Sequence, residues 1–495
     1  MFESEFLTAA PESQARYQRL VGDAAQILCA HLNNGPYAGK NAASLAALVD
    51  TDFLPTTARS ERQVAATLRT VVANSVSVSH PNTAAHLHCP PLLSALVAEV
   101  VISALNQSMD SFDQAPIATV VEQKLIRWLC TEAGLPASSD GTFATGGSQS
   151  NYMGLLLAPD AFALKHWNHS VQKSGLPPES ARLRIFCSEV AHFTVEKSAS
   201  QLGLGSDAVI RVGVDHRFRM NPSALQDALN ASRTQGMLPM AVVATAGTTD
   251  FGSVDPLLDL ADLSREAGAW LHVDAAYGGA LLFSSQYRGK LEGIASADSL
   301  SVDFHKLFWQ PISCGAFLLR DARHFDSIRL YADYLNPELH EEQGIPNLVA
   351  TSLLTSRRFD ALKLWISLQS LGRGTLAAMI DRTIELAEHA ATIVRGSSQL
   401  ELLCETQLST TVFRYVPRQL TADSDAINAR LRQSLFDQGL AIIGHTRIRD
   451  RQALKLTCMN PTVTESQMEG LIQAIIRAGN AVEGKLSAPA EPGFY

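Results

Sequence analysis

A lysine, an aspartate, a histidine and a glycine-serine turn are the residues of this chain best placed to do chemistry. Lys306 stands in SVDFHKLFWQPISCG (301–315), a segment otherwise apolar enough for a core. Lysines mostly keep the ammonium in water and bury only the stem. An amine held among apolar side chains gives up its proton more easily and becomes a nucleophile that forms Schiff bases. The alternative is a lysine that snorkels to water from a strand end. Asp274, in HVDAAYGG (272–279), closes an apolar strand, where a buried carboxylate is costly unless paired. Ala275, Ala276, Gly278 and Gly279 would let a flat group pack close to it, although a helix-capping aspartate is also possible. His192, in VAHFTVEKSA (190–199), follows a strand that ends near Ser188. It could stack on a planar ligand or be an ordinary loop histidine. In FATGGSQSNYMGLLLA (143–158), Gly146, Gly147 and Ser148 precede a helix. Backbone N–H groups at such a start bind anions, and glycine lets the backbone come close. A plain N-cap would by itself account for Ser148.

These groups matter most together. Asp274, His192 and Lys306 lie at or just after predicted strands and the glycine turn opens a predicted helix, so all are expected on the C-terminal edge of one sheet, where open α/β sheets bind their ligands. A nucleophilic lysine, a strand-end acid, a stacking histidine and a phosphate cradle are the parts that pyridoxal 5'-phosphate (PLP) requires. Asp274 would keep the pyridine nitrogen protonated, so that the ring can accept electrons when a bond at Cα breaks. The two G-x-G-x-x-A matches, GLGSDA (203–208) and GRGTLA (372–377), do not lie between a strand and a helix. A dinucleotide site needs that context.

The elements that must position these groups alternate. Strands are predicted at 182–188, 207–214, 240–247, 269–275, 299–303 and 314–320, and helices at 148–166, 192–202, 222–233, 256–267 and 357–371. Asn221 before Pro222 reads as an N-cap followed by proline at the first helical position. Alternation with near-continuously apolar strands implies a large, mostly parallel sheet flanked by helices. PLLSALVAEVVISAL (91–105) reads as a buried helix, too short to span a bilayer. After about residue 400 a strand-helix-strand-strand-helix order suggests a small α+β domain. The expected division is a helical N-terminal segment (1–85), a large domain (86–385) and a small C-terminal domain (386–495), with the tail KLSAPAEPGFY loose.

The 495 residues are 46% hydrophobic and 18% charged with a net charge of −9, a globular composition that makes nucleic acid a poor partner. Cys29, Cys89, Cys130, Cys187, Cys314, Cys404 and Cys458 form no C-x-x-C pair. They imply reduced thiols in a cytoplasm and no metal site. The start MFESEFLTAAPESQ has no apolar h-region, so no signal peptide is expected.

Several of these stretches are recognisable. TGGSQSN, AHFTVEKSA, ATAGTTDFGSVDP, HVDAAYGG, DFHK and RRFDALKLW resemble the PLP-dependent group II amino acid decarboxylases, from about HPNTAAHLHCPP (80–91) to LKLTCMNPTVTESQ (454–467). The resemblance implies PLP-dependent fold type I, like aspartate aminotransferase, in a homodimer with active sites at the interface. It implies that Lys306 bonds to the cofactor's aldehyde, that Asp274 pairs with the pyridine nitrogen and that His192 stacks on the ring. Gly147 and Ser148 would hold phosphate with His305 nearby, Thr245 would lie beside the cofactor and Ala276 would pack on it. Cys89, Asp303 and Lys455 are assigned to the substrate.

VDFHKLFWQPISCGAFLL and the stretch from Tyr331 to Trp365 look most like bacterial L-2,4-diaminobutyrate decarboxylases, with siderophore-pathway lysine and ornithine decarboxylases also similar. The expected reaction is therefore decarboxylation of a diamino acid, most simply L-2,4-diaminobutyrate to 1,3-diaminopropane, for siderophore or polyamine synthesis. The alternatives are lysine or ornithine as substrate, an aminotransferase or lyase of the same fold, or a silent binding homologue. Glu341 and Glu342 could add negative charge for a diamine, with solvation the simpler reading. Three positions depart from the animal enzymes. Asp303 replaces an asparagine and Lys455 an arginine, and the mobile-loop tyrosine has no match near EEQGIPNLV (341–349), Tyr334 being out of register.

Overall fold

The computed structural model of the chain describes residues 5–32, 34–49, 53–419 and 423–487; the expected loose tail lies mostly outside them. Packing divides the chain into two units, one of Leu87–Glu385 with Cys404–Thr410, the other of Met1–His86, Leu386–Leu403 and Thr411–Tyr495. The strands in chain order are β1 (Thr83–Ala84), β2 (Asp140–Ala144), β3 (Leu183–Ser188), β4 (Val209–Val212), β5 (Leu238–Thr245), β6 (Trp270–Asp274), β7 (Ser299–Asp303), β8 (Gly315–Leu319), β9 (Leu400–Leu402), β10 (Thr410–Tyr415), β11 (Ile442–Ile448) and β12 (Arg451–Thr457).

The large unit is built on a seven-stranded sheet in the order β2-β8-β7-β6-β5-β3-β4. β3 to β7 are parallel, and β8 runs against both β7 and β2. Six strands therefore point one way, and their C-terminal ends share an edge. Met240 to Ala244 on β5 are fully buried, as an apolar strand covered by helices on both faces must be. Asn221 caps the helix Pro222–Thr234 by accepting from Ser223 N and Ala224 N.

Three expectations change. β2 is absent from the predicted strands; DGTFA is short and lies at the sheet's edge, where a long apolar run is not required. The helix expected over 357–371 starts only at Ala361 and breaks at Gly372, whose φ of 69° glycine alone adopts readily. The helix Leu93–Leu105 is not buried in the chain by itself. Only Ala95, Ala98 and Ile102 face inward, while Leu93 and Val97 are 81% and 64% exposed.

The second unit holds a five-stranded sheet, β1-β11-β12-β10-β9. Thr83 and Ala84 extend it by pairing in parallel with Ile442 and Ile443. Its helices Ser424–Asp437 and Glu465–Ser487 bury Leu431, Leu471 and Ile475 against Phe413 and Leu454. Among the described residues no helix is long and apolar enough to cross a membrane, and no group of three or more His, Cys, Asp or Glu could hold a metal ion.

Candidate active site

Five strand ends supply the site. β2 leads into Gly146 and the helix Gly147–Trp167, β3 into His192, β5 ends at Thr245, β6 at Asp274, and β7 at Asp303, three residues before Lys306. Nine of the eleven expected site residues line one cavity of about 260 Å³: Gly147, Ser148, His192, Thr245, Asp274, Ala276, Asp303, His305 and Lys306. A larger cavity, about 500 Å³, lies beside Trp270 and Arg320 at the other end of the strands and includes none of them.

The glycine turn is shaped by what it must pass. A Cβ on Gly146 (φ 143°) would come 2.8 Å from His305 Cε1, and one on Gly147 would come 2.9 Å from Ala276 Cβ. Only glycine allows both the conformation and the approach. Gln149 ties the turn by accepting from Thr145 N at 2.9 Å and Thr145 Oγ1 at 3.0 Å.

Lys306 is not the isolated amine that its apolar neighbours suggest. Leu307, Phe308 and Trp309 are fully buried, yet Lys306 Nζ turns to Asp303 Oδ2 at 3.0 Å, with His305 Nε2 3.6 Å from the same oxygen. Asp303 is 3% exposed, so its charge needs these partners. His305 Nδ1 lies 2.7 Å from Cys314 O and 3.2 Å from Cys314 N. Asp303 thus pairs with the Lys306 ammonium.

Asp274 accepts from Asn151 Nδ2 at 2.7 Å on one oxygen and from Ala276 N at 3.1 Å on the other, which also lies 3.2 Å from Ser301 Oγ. Asn151 also donates to Thr194 Oγ1 at 3.1 Å, and that hydroxyl meets His192 Nδ1 at 2.9 Å. The threonine proton therefore points at Nδ1, leaving Nε2 of His192 as the N–H. Burial holds this imidazole below its usual pKa, against the pull of Asp274. Asn151 stands inside the TGGSQSN motif, but its type and place on a helix gave no sign of this role.

Thr245 is set by Asp255, which accepts from Thr245 N at 2.8 Å and Met220 N at 2.7 Å; burial pushes this carboxyl up to about 7. The Thr245 hydroxyl and Asp303 Oδ1 are buried with no hydrogen-bond partner. A polar ligand would satisfy them. With a primary amine, a hydrogen-bonded carboxyl group and a helix N-terminus around one small cavity, the residues present fit PLP.

Two expected residues do not line the cavity. Cys89 is buried and its Sγ donates to His305 O at 3.3 Å; burial pushes the thiol up to about 12, so it is a neutral packing group. Lys455 lies buried on β12 of the other unit, opposite Gly444. Glu341 is described by its backbone only, and Glu342 is exposed.

The family described as "Pyridoxal-dependent decarboxylase conserved domain" matches residues 43–416. The L-2,4-diaminobutyrate decarboxylase of Acinetobacter baumannii is 37% identical, over 96% of this chain and 95% of that one. The L-2,4-diaminobutyrate decarboxylase of Rhizobium meliloti is 42% identical, over 85% and 82%. A crystal structure from Vibrio parahaemolyticus superposes with a TM-score of 0.89 at 38% identity, covering 97% of this chain and 99% of that chain. That structure is of the glutamate decarboxylase domain of diaminobutyrate-pyruvate transaminase and L-2,4-diaminobutyrate decarboxylase. The mostly parallel sheet with its flanking helices is thus the type I fold of PLP enzymes, and the chain belongs to the PLP-dependent amino acid decarboxylases.

Proposed function

We propose that the protein decarboxylates L-2,4-diaminobutyrate, releasing carbon dioxide and leaving 1,3-diaminopropane. The observation that carries this reading is identity of 37% and 42%, over most of both chains, to two enzymes with that activity. PLP, when bound, supplies an electron sink for the pair left on Cα as the bond to the carboxylate breaks.

The chain's own groups do the rest. Lys306 Nζ would be the amine that holds the cofactor's aldehyde. Asp274 holds the proton on the pyridine nitrogen. Gly147 and Ser148 offer the helix N-terminus to the phosphate, beside His305, and Thr245 offers its unpartnered hydroxyl. His192 and Ala276 would pack on the ring, and His192 keeps its proton on Nε2. Asp303 keeps negative charge beside Lys306, which also suits a substrate with a second amine. Cys89 closes the wall behind His305 as a neutral thiol.

Carbon dioxide release from a panel of L-amino acids, with PLP added, tests the substrate. We expect kcat/KM for 2,4-diaminobutyrate to exceed that for ornithine, one methylene longer, by about 10-fold or more. Preference for ornithine, lysine, glutamate or an aromatic acid would refute the substrate, and a keto acid product would refute the reaction.

We further propose a cytoplasmic homodimer that makes the diamine for siderophore or polyamine synthesis. All seven cysteines are free thiols, as in a reducing compartment. The N-terminal helices Pro11–His31 and Glu61–Ala73 expose Leu20, Leu28, Leu68 and Val71, apolar surface that a second copy would cover. Sedimentation should give twice the chain mass, and Leu28→Glu with Leu68→Glu should give monomers. A parent protein that sediments as a monomer at micromolar concentration would rule out the dimer.

A further inference from the structure

His272 is a fully buried imidazole on β6 that does not line the cavity. A polar ring in a parallel sheet must find partners, and this one lies in a hydrogen-bond chain whose direction is fixed at every link. The Asp274 carboxylate only accepts, so the Asn151 group facing it at 2.7 Å is the NH₂. The Asn151 oxygen then accepts from Ser301 Oγ at 2.8 Å and from His272 Nε2 at 3.0 Å. His272 therefore carries its proton on Nε2, and its Nδ1 accepts from Ser299 Oγ at 2.8 Å. Ser299 in turn accepts from Trp270 Nε1 at 2.9 Å. Burial pushes the His272 pKa down to about 4, so the ring is neutral, as the chain requires.

Gly154 is a second, independent sign. It lies inside the helix Gly147–Trp167, where glycine weakens a helix. A Cβ there would come 2.4 Å from His272 Nδ1 and 2.8 Å from Cε1. The helix thus keeps a gap filled by the imidazole. With the proton on Nδ1 instead, His272 would set a lone pair against the Asn151 oxygen. The amide would then turn, and its oxygen would face the Asp274 carboxylate.

We propose that His272 is a positioning residue that, through Asn151, keeps an N–H pointed at Asp274 and so holds that carboxylate ionised for the cofactor's pyridine nitrogen. This rests on the role given to Asp274 above.

The test uses the holoenzyme loaded with PLP labelled with ¹⁵N in the ring. The ring-nitrogen chemical shift and the cofactor dissociation constant are read out. Glutamine can place its amide where Nε2 stands, whereas asparagine reaches only the Nδ1 position. His272→Asn should weaken PLP binding about 10- to 100-fold, the scale known for outer-shell partners of metal ligands, while His272→Gln stays within about threefold of the parent. The ¹⁵N signal should move towards the unprotonated position in His272→Asn and not in His272→Gln. If the two variants behave alike, or like the parent, while Asp274→Asn loses the protonated signal, the relay is refuted and the role of Asp274 stands. If Asp274→Asn keeps that signal, the reading of Asp274 fails and takes the relay with it. Should a His272 variant not fold, Gly154→Ala replaces it. Its methyl displaces the ring and must weaken binding and shift the signal as His272→Asn does; no change in either measurement overturns the proposal.

Discussion

Replacing Lys306 by alanine is expected to lower carbon dioxide release by roughly 10⁴-fold or more, the scale of losing a nucleophile that works as part of a unit. No other primary amine lines the cavity, so nothing among the described residues can take its place. A second effect follows from the ion pair. Lys306 Nζ is 3.0 Å from Asp303 Oδ2, and without it the nearly buried carboxylate keeps only His305 Nε2 at 3.6 Å. Lys306→Ala should therefore also lose stability, by about 1–3 kcal/mol for a buried acceptor left unsatisfied. Lys306→Arg separates the two effects. A guanidinium keeps the positive charge beside Asp303 but does not give up its proton, so it cannot act as the amine. It should be as inactive as the alanine variant and melt closer to the parent. An alanine variant within tenfold of parental activity would show that Lys306 is not the amine.

The site was legible in the sequence to the extent that it follows strand ends. A parallel strand between two layers of helices is apolar along its length, so polar residues at or just beyond its end stand out, as Asp274, His192 and Lys306 do. What depends on pairing across elements was not legible. Asp303 and Lys306 are three apart with no helix to imply contact, and the apolar run after Lys306 suggested a dry wall instead of an ion pair. Asn151 joins a helix to β6 and β7 through bonds that neither local sequence announces. One signal was available there, namely a glycine inside a helix, Gly154, together with a histidine inside an apolar strand, His272. The helix Leu93–Leu105 shows the opposite limit. Its composition suits a core, yet Leu93 and Val97 stay exposed on the chain itself.

The strand that sequence missed leads to the prediction with the largest expected effect on stability. β2 delivers the chain to Gly146, and a buried ion pair holds it. Glu122 and Arg357 are 1% and 6% exposed, and the guanidinium bonds the carboxylate twice, at 2.8 and 3.2 Å. Both also grip the same residue of β2. Glu122 accepts from Phe143 N at 3.1 Å, and Arg357 donates to Phe143 O at 3.2 Å. Arg357→Met leaves a carboxylate buried without its cation, a loss of about 3–5 kcal/mol, or on the order of 10 °C in Tm for a unit of this size. Removing both charges, with Glu122→Leu added, should recover part of that loss, because two apolar side chains carry no uncompensated charge. The recovery stays incomplete, since Phe143 N still lacks its acceptor, at about 1–3 kcal/mol. The melting temperatures of the parent, both single variants and the double variant give the coupling directly. PLP affinity should fall in the same order, because a loosened β2 no longer fixes the turn at Gly146 and Gly147. If Arg357→Met melted with the parent, the pair would not be what holds β2, and the conformation of the glycine turn would have to come from its approach to His305 and Ala276 alone.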